Sequence, residues 1–238
     1  MMIGSCSHIG KVRSCNEDSF YADDSFVVVA DGMGGHNKGE VASSMAVEEL
    51  KNVIFSTDLD QISTDRLLLV LEKAINAANQ KIYRASVTQP SMSGMGTTVV
   101  AGIWKDQMAV IANVGDSRCY QISDGEAKQL TCDHSLVQKL VEEGKLSQEE
   151  AKNHKDRNII TRAVGSEPNT KADIVETQIA PGDILVFCTD GFSNYVSLEE
   201  MTTQLSNSSD LQTAVERLVD LANDSGGFDN ITLVAVKF

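Results

Sequence analysis

Between Thr97 and Leu130 four short apolar segments follow one another almost without pause. They are Thr97 to Trp104, Gln107 to Val114, Ser117 to Ile122 and Ala127 to Leu130, parted only by Lys105-Asp106, Gly115-Asp116 and Asp124-Gly125. A crossover between parallel strands needs about a dozen residues, so links this short favour antiparallel pairing. This run constrains the fold more than any other feature of the chain.

The flanking segments extend the pattern. Ser19 to Ala22 and Phe26 to Ala30 read as strands around the turn Asp23-Asp24-Ser25. A helix is predicted over Gly39 to Phe55, where Val41, Met45, Leu50 and Ile54 keep largely to one face. A second is predicted over Thr64 to Ser86, from Leu67, Leu71, Ala74, Ile75, Ala78 and Ile82, with Pro90 just beyond its end. Later strands are predicted at Asp173 to Ile179, Ile184 to Cys188 and Asn230 to Val236. Between them lie a helix capped by Ser197 and Glu200 and another from Asp210 to Asn223. Few strands are joined by helical crossovers, so the class is α+β, antiparallel sheets covered by helices.

Asp133 to Gly165 stands apart. It is polar and poor in strand residues, and it carries a capping box at Ser147 and Glu150 after the helix stop at Gly144. It reads either as a flap over a site or as a surface helical hairpin without a role. No linker, low-complexity tract or repeat divides the 238 residues, so one domain over 1–238 is expected.

Composition excludes several classes. A net charge of -14 argues against a nucleic-acid backbone or an anionic membrane as the main partner. No apolar run is long enough to span a bilayer, and Met1 to Gly10 does not read as a signal peptide, so the cytoplasm is expected. The cysteines, Cys6, Cys15, Cys119, Cys132 and Cys188, are odd in number and lack zinc spacing, which argues against a disulfide scaffold or zinc site.

The chemistry lies at strand ends. Asp31 follows Phe26-Val-Val-Val-Ala, Asp116 follows Val110-Ile-Ala-Asn-Val-Gly, Asp190 follows Ile184-Leu-Val-Phe-Cys-Thr, and Asp229 precedes Asn230-Ile-Thr-Leu-Val. Antiparallel neighbours would place three C-terminal ends and one N-terminal end on one rim. Carboxylates sharing a rim raise one another's pKa unless cations sit between them. Oxygen donors favour hard ions such as Mg2+ or Mn2+. Glycine follows in Asp31-Gly32 and Asp190-Gly191, so the Gly32 carbonyl could join the coordination. Each Asp-Gly taken alone is also ordinary turn chemistry. In Arg13-Ser-Cys-Asn-Glu17-Asp18 the arginine suits bidentate phosphate binding, and the two carboxylates could orient waters.

Arg13-x-x-Asn16-Glu17-Asp18, Asp31-Gly-Met-Gly-Gly-His36, Gly39-Glu40-x-Ala42-Ser43 and Gly96-Thr97-Thr98 occur in that order. Asn113-Val-Gly-Asp116-Ser-Arg118, Asp133-His134-Ser135, Ile160-Thr-Arg162-Ala-Val-Gly165, Asp190-Gly191 and Gly227-Phe-Asp229-Asn230-Ile-Thr232 complete the series. The series resembles the metal-dependent protein phosphatases of type 2C, the PPM family, in its bacterial form, over nearly the whole chain.

The resemblance implies a four-layer αββα sandwich of two antiparallel sheets flanked by helices. It implies two Mn2+ or Mg2+ ions bridged by Asp31, one served by the Gly32 carbonyl and the other by Asp190 and Asp229. Asp116 would hold a third, weaker ion that Asp190 could share, and Asp18 would act near the ions mostly through water. Arg13 would hold the phosphate, and Asp133 to Gly165 would be the flap. A water between the ions would attack phosphorus in line. Many eukaryotic members carry histidine where this chain has Met33, which leaves His36 a candidate for substrate contact or proton donation, beside an alternative role as a loop residue. The implied partners are phosphorylated proteins and a bacterial Ser/Thr kinase with its substrates, and a monomer is expected. Rival readings are a catalytically weak phosphoprotein-binding member, a phosphohydrolase of nucleotides or small phosphates, and a structural Ca2+ module.

Overall fold

In the computed structural model, which describes residues 1–34 and 38–238, the strands sort into two antiparallel sheets. The first has the order β1-β11-β10-β7-β8, built from β1 (Met2–His8), β7 (Arg118–Ser123), β8 (Glu126–Gln129), β10 (Ile184–Cys188) and β11 (Ile231–Lys237). The second has the order β2-β3-β5-β6-β9, from β2 (Asp18–Ala22), β3 (Phe26–Met33), β5 (Val99–Lys105), β6 (Met108–Val114) and β9 (Asp173–Gln178). The short β4 (Gly96–Thr97) pairs with the end of β3.

Alternation along each strand decides what lies between the sheets. Val27 and Val29 of β3 point inward to meet Leu185 and Phe187 of β10 and Val234 and Val236 of β11. Phe26, Val28 and Ala30 point the other way, onto helices α1 (Gly39–Phe55) and α2 (Leu67–Thr88). Helices α6 (Leu198–Ser206) and α7 (Leu211–Asp224) cover the outer face of the first sheet through Met201, Leu205, Leu218 and Ala222. The result is the expected αββα sandwich. Replacing an inter-sheet side chain such as Phe187 with alanine would cost about 3–5 kcal/mol.

The predicted links between strands hold with one exception. β5–β6 and β7–β8 are hairpins, each turning on a residue with positive φ, Asp106 at 55° and Asp124 at 51°. Gly115-Asp116-Ser117 is no hairpin: it carries the chain from β6 in the second sheet to β7 in the first. Gly115 adopts φ 112°, and a Cβ there would lie 2.6 Å from the Thr98 side chain, so the crossing turn needs glycine.

β3 runs on through Asp31 and Gly32 to Met33, where β4 pairs with it, so Asp31 is a strand residue and not a turn residue. β1 had no sequence prediction. The first residues predicted as helix, Thr64–Arg66, form a 3-10 turn, and α2 begins at Leu67. The capping boxes at Ser147/Glu150 and Ser197/Glu200 are present, opening α4 (Gln148–Lys152) and α6. With α3 (Leu136–Glu142), α4 supplies the helices of the segment 133–165. Among the described residues no helix is long and apolar enough to cross a membrane.

Candidate active site

The end of the sandwich gathers side chains from six places in the chain. β2 and β3 run antiparallel with Asp18 directly opposite Asp31. β10 ends at Cys188, beside the start of β11, because those strands are antiparallel as well. Asp190 opens the short helix α5 (Asp190–Ser193), and Asp229 stands two residues before β11. Gly191 packs against this junction so closely that a Cβ would lie 2.0 Å from the Asn230 carbonyl oxygen. The crossing turn of the sheets delivers Asp116.

Electrostatics show that these carboxyls are neighbours. Burial raises the Asp31 carboxyl well above its ordinary range, and Asp18, Asp190, Asp116 and Asp229 raise it further. Asp18 is pushed up to about 7, by burial first and by Asp190 and Asp229 next, against hydrogen bonds from Thr232 and Thr189 that lower it. Asp116 is also pushed up to about 7, by burial and then by Asp190 and Asp133. Asp190 is pushed up to about 6 by burial and Asp229. Burial and mutual repulsion thus oppose full ionisation of the cluster when no cation is present.

The surrounding backbone is tightly fixed. The Asp31 amide donates to Thr98 Oγ1 at 2.9 Å, and the Asp31 carbonyl accepts from the Thr98 amide and Thr97 Oγ1, each at 2.8 Å. The Gly32 amide donates to the Glu17 carbonyl at 3.1 Å, and a Cβ on Gly32 would sit 2.1 Å from the Gly39 carbonyl oxygen. Asn230 ties the loops together. Its Oδ1 accepts from the Glu17 amide at 2.8 Å, and its Nδ2 donates to the carbonyls of Ile9 and Cys15, each at 2.9 Å.

Arg13 reaches the rim from the loop after β1. Its Nη2 donates to Asp229 Oδ2 at 2.8 Å, and about half of its side chain is exposed. Burial alone would lower its pKa, but Asp229, Asp31 and Glu17 outweigh that and hold it above its ordinary value.

The donor set consists of carboxylates and a backbone carbonyl, which suits hard divalent ions. Among the described residues the buried Oδ1 atoms of Asp18 and Asp116 have no hydrogen-bond partner, so each offers a lone pair. Among the described residues no three acidic, imidazole or thiol groups form a ready-made metal cage. A cleft of about 700 Å3 opens beside Asp116 and Asp190, walled by Arg118, Arg157 and Tyr195 and by α3 and α4 of the segment 133–165.

Of the sequence-predicted residues, Arg13, Asp18, Asp31, Gly32, Asp116, Asp190 and Asp229 come together here. His36 lies outside the described residues. Sequence reasoning missed the site roles of Thr98, Thr189 and Thr232. Alternation along β11, continued back from Val236 and Val234, would have placed Thr232 on the inward face beside the carboxylates.

Oxygen donors with a guanidinium beside them, at one end of a double antiparallel sheet, suit the class of metal-dependent phosphatases. Comparison with known proteins narrows the class. The sequence matches the protein phosphatase 2C family over residues 6–231. It is 39% identical to a serine/threonine phosphatase, stp, of Listeria monocytogenes over 233 residues, 96% of this chain and 92% of that one.

Among solved structures, the Mycobacterium tuberculosis serine/threonine phosphatase PstP superposes with a TM-score of 0.92 at 35% identity, covering 100% of this chain and 98% of that one. A PstP catalytic domain in complex with two manganese ions gives a TM-score of 0.88 at 34% identity, covering 99% and 97%. The chain belongs to the protein phosphatase 2C family and is a metal-dependent protein phosphatase.

Proposed function

We propose that this phosphatase hydrolyses phosphoserine and phosphothreonine esters at the rim formed by Asp31, Asp190 and Asp229, with Asp18, Asp116 and the Gly32 carbonyl completing the donor set. The observation that carries the reading is the crowding of acidic oxygens at one rim: Asp18 opposite Asp31 in the β2–β3 ladder, with buried Oδ1 atoms of Asp18 and Asp116 left without partners among the described residues, a charge problem that divalent cations relieve. Two Mn2+ or Mg2+ ions held there would lower the pKa of a water and offset charge on the phosphoryl oxygens.

The chain's own residues do the rest. Arg13 turns from Asp229 toward the phosphate and orients it by charge-assisted hydrogen bonds. Thr98 and Thr97 lock the backbone that carries Asp31. His36 is a candidate for substrate contact or for protonating the leaving oxygen. Asp116 and Asp190 would hold a third, weaker ion beside the cleft, and 133–165 would act as a flap over a bound phosphopeptide within one catalytic domain spanning 1–238. The printed names of the Listeria and Mycobacterium relatives support serine and threonine as the substrate side chains. The partners we infer are phosphorylated proteins of the cytoplasm, with a Ser/Thr kinase and its substrates among them, met by a monomer.

Hydrolysis of a phosphoserine peptide, with nucleotides as controls, tests this. The reading expects peptide turnover that requires Mn2+ and stops on chelation. Preferential hydrolysis of nucleotides would replace it with a small-phosphate reading.

A further inference from the structure

Between the sheets, one polar layer closes the inter-sheet core at the site end. Inward positions on β10 run Leu185, Phe187 and then Thr189. On β11 they run Val236, Val234 and back to Thr232. On β2, Phe20 and Ala22 pack on the same core, which puts Asp18 on that face too. Thr189 and Thr232 are fully buried.

Thr232 Oγ1 donates to Asp18 Oδ2 at 2.6 Å, and Thr189 Oγ1 donates to the same oxygen at 3.0 Å. With Asp18 ionised, both hydroxyls are the donors. Thr189 Oγ1 receives the Thr232 amide at 3.0 Å, so its own proton goes to Asp18. Asn16 Nδ2 donates to Ser7 Oγ at 2.9 Å, and Ser7 Oγ lies 2.8 Å from Thr232 Oγ1. A Thr232 hydroxyl that donates to Asp18 therefore accepts from Ser7. Both lines of donors end on Oδ2, while Oδ1 is buried and has no partner among the described residues.

We infer that Thr189 and Thr232 are positioning residues that reach across from the opposite sheet, saturate Asp18 Oδ2 and present Oδ1 to the divalent-ion site. The inference rests on the proposed role of Asp18. The threonines touch neither phosphate nor ion. They fix the carboxylate's rotation and keep Oδ2 an acceptor, as outer-sphere partners of metal-site carboxylates do. Serine preserves the donor; valine preserves the shape and removes it.

The test is a double-mutant cycle read by calorimetric Mn2+ binding to chelator-stripped protein and by the unfolding midpoint of the metal-free forms. Thr232→Val is expected to weaken Mn2+ binding about 10- to 100-fold, and Thr232→Ser to restore it. In an Asp18→Asn background Thr232→Val should add nothing. Thr189→Val gives the same comparison should Thr232→Val fail to fold. Equal losses with and without Asp18, or a loss that serine does not rescue, overturns the inference. An Asp18→Asn variant with unaltered Mn2+ binding and turnover would instead remove Asp18 from the site and the underlying reading with it.

Discussion

Asp18 and Asp31 stand directly opposite each other in the β2–β3 ladder, two acidic side chains at one cross-strand position. Like charges so placed destabilise a sheet. Asp18 is buried and Asp31 half-buried, and Asp190 and Asp229 add to the charge cost at both. The second sheet is therefore built around an unfavourable pair that Thr189 and Thr232 offset only in part, through Asp18.

The first consequence concerns the metal-free protein. Asp18 and Asp116 are raised to about 7 and Asp190 to about 6, from 3.8, so the folded chain binds more protons than the unfolded one. Their stabilising contribution is full below the unfolded value and is lost as pH climbs through the folded values. With chelator present, the melting temperature should fall between about pH 5 and about pH 8, and added Mn2+ should flatten that slope. A melting temperature that rises over this interval would contradict the assignment.

Asp31→Asn removes charge while keeping shape. Turnover of a phosphoserine peptide should drop by about a hundred- to a thousandfold. The metal-free variant should nevertheless melt above the metal-free parent, because one of the crowded carboxyls has gone. Steady-state kinetics and calorimetric melting read both effects.

Arg13→Ala should lower kcat/KM by about 2 kcal/mol, roughly thirtyfold, the worth of a charge-assisted hydrogen bond to phosphate. It should leave the fold intact, since Arg13 is half exposed and pairs only with Asp229 among the described residues. An unchanged kcat/KM would take Arg13 out of the site.

Gly191→Ala places a methyl 2.0 Å from the Asn230 carbonyl oxygen. Asn230 holds the loops at Ile9, Cys15 and Glu17, so the push spreads to both sides of the rim. The expected cost is about 2 kcal/mol or more of stability with weaker Mn2+ binding, measured by urea unfolding and calorimetry.

Much of this was legible before the fold. Alternating or continuous apolar runs mark the long strands, and the aspartates that end them are visible in the same lines of sequence. The sheet partner of each strand was less legible. A two-residue link such as Gly115-Asp116 has the form of a hairpin, and only the positive φ of Gly115 packed on Thr98 sends the next strand to the other sheet. β1 escaped notice because its Met2–His8 carries small and polar residues whose burial is supplied by β11 and α7. Thr189, just past a predicted strand, and Thr232, inside a motif, carry no legible role, since their meaning lies in Asp18, 171 and 214 positions away.

The central claim is that Asp31, Asp190 and Asp229, remote in sequence, jointly hold divalent ions. Anomalous scattering at the manganese edge, from crystals of the chelator-stripped protein soaked in Mn2+, tests it most directly. The account predicts two strong peaks coordinated by Asp31, with Asp190 and Asp229 on one of them, and their loss in Asp31→Asn. Peaks only at other surfaces, in a protein that remains an active Mn2+-dependent phosphatase, would contradict it.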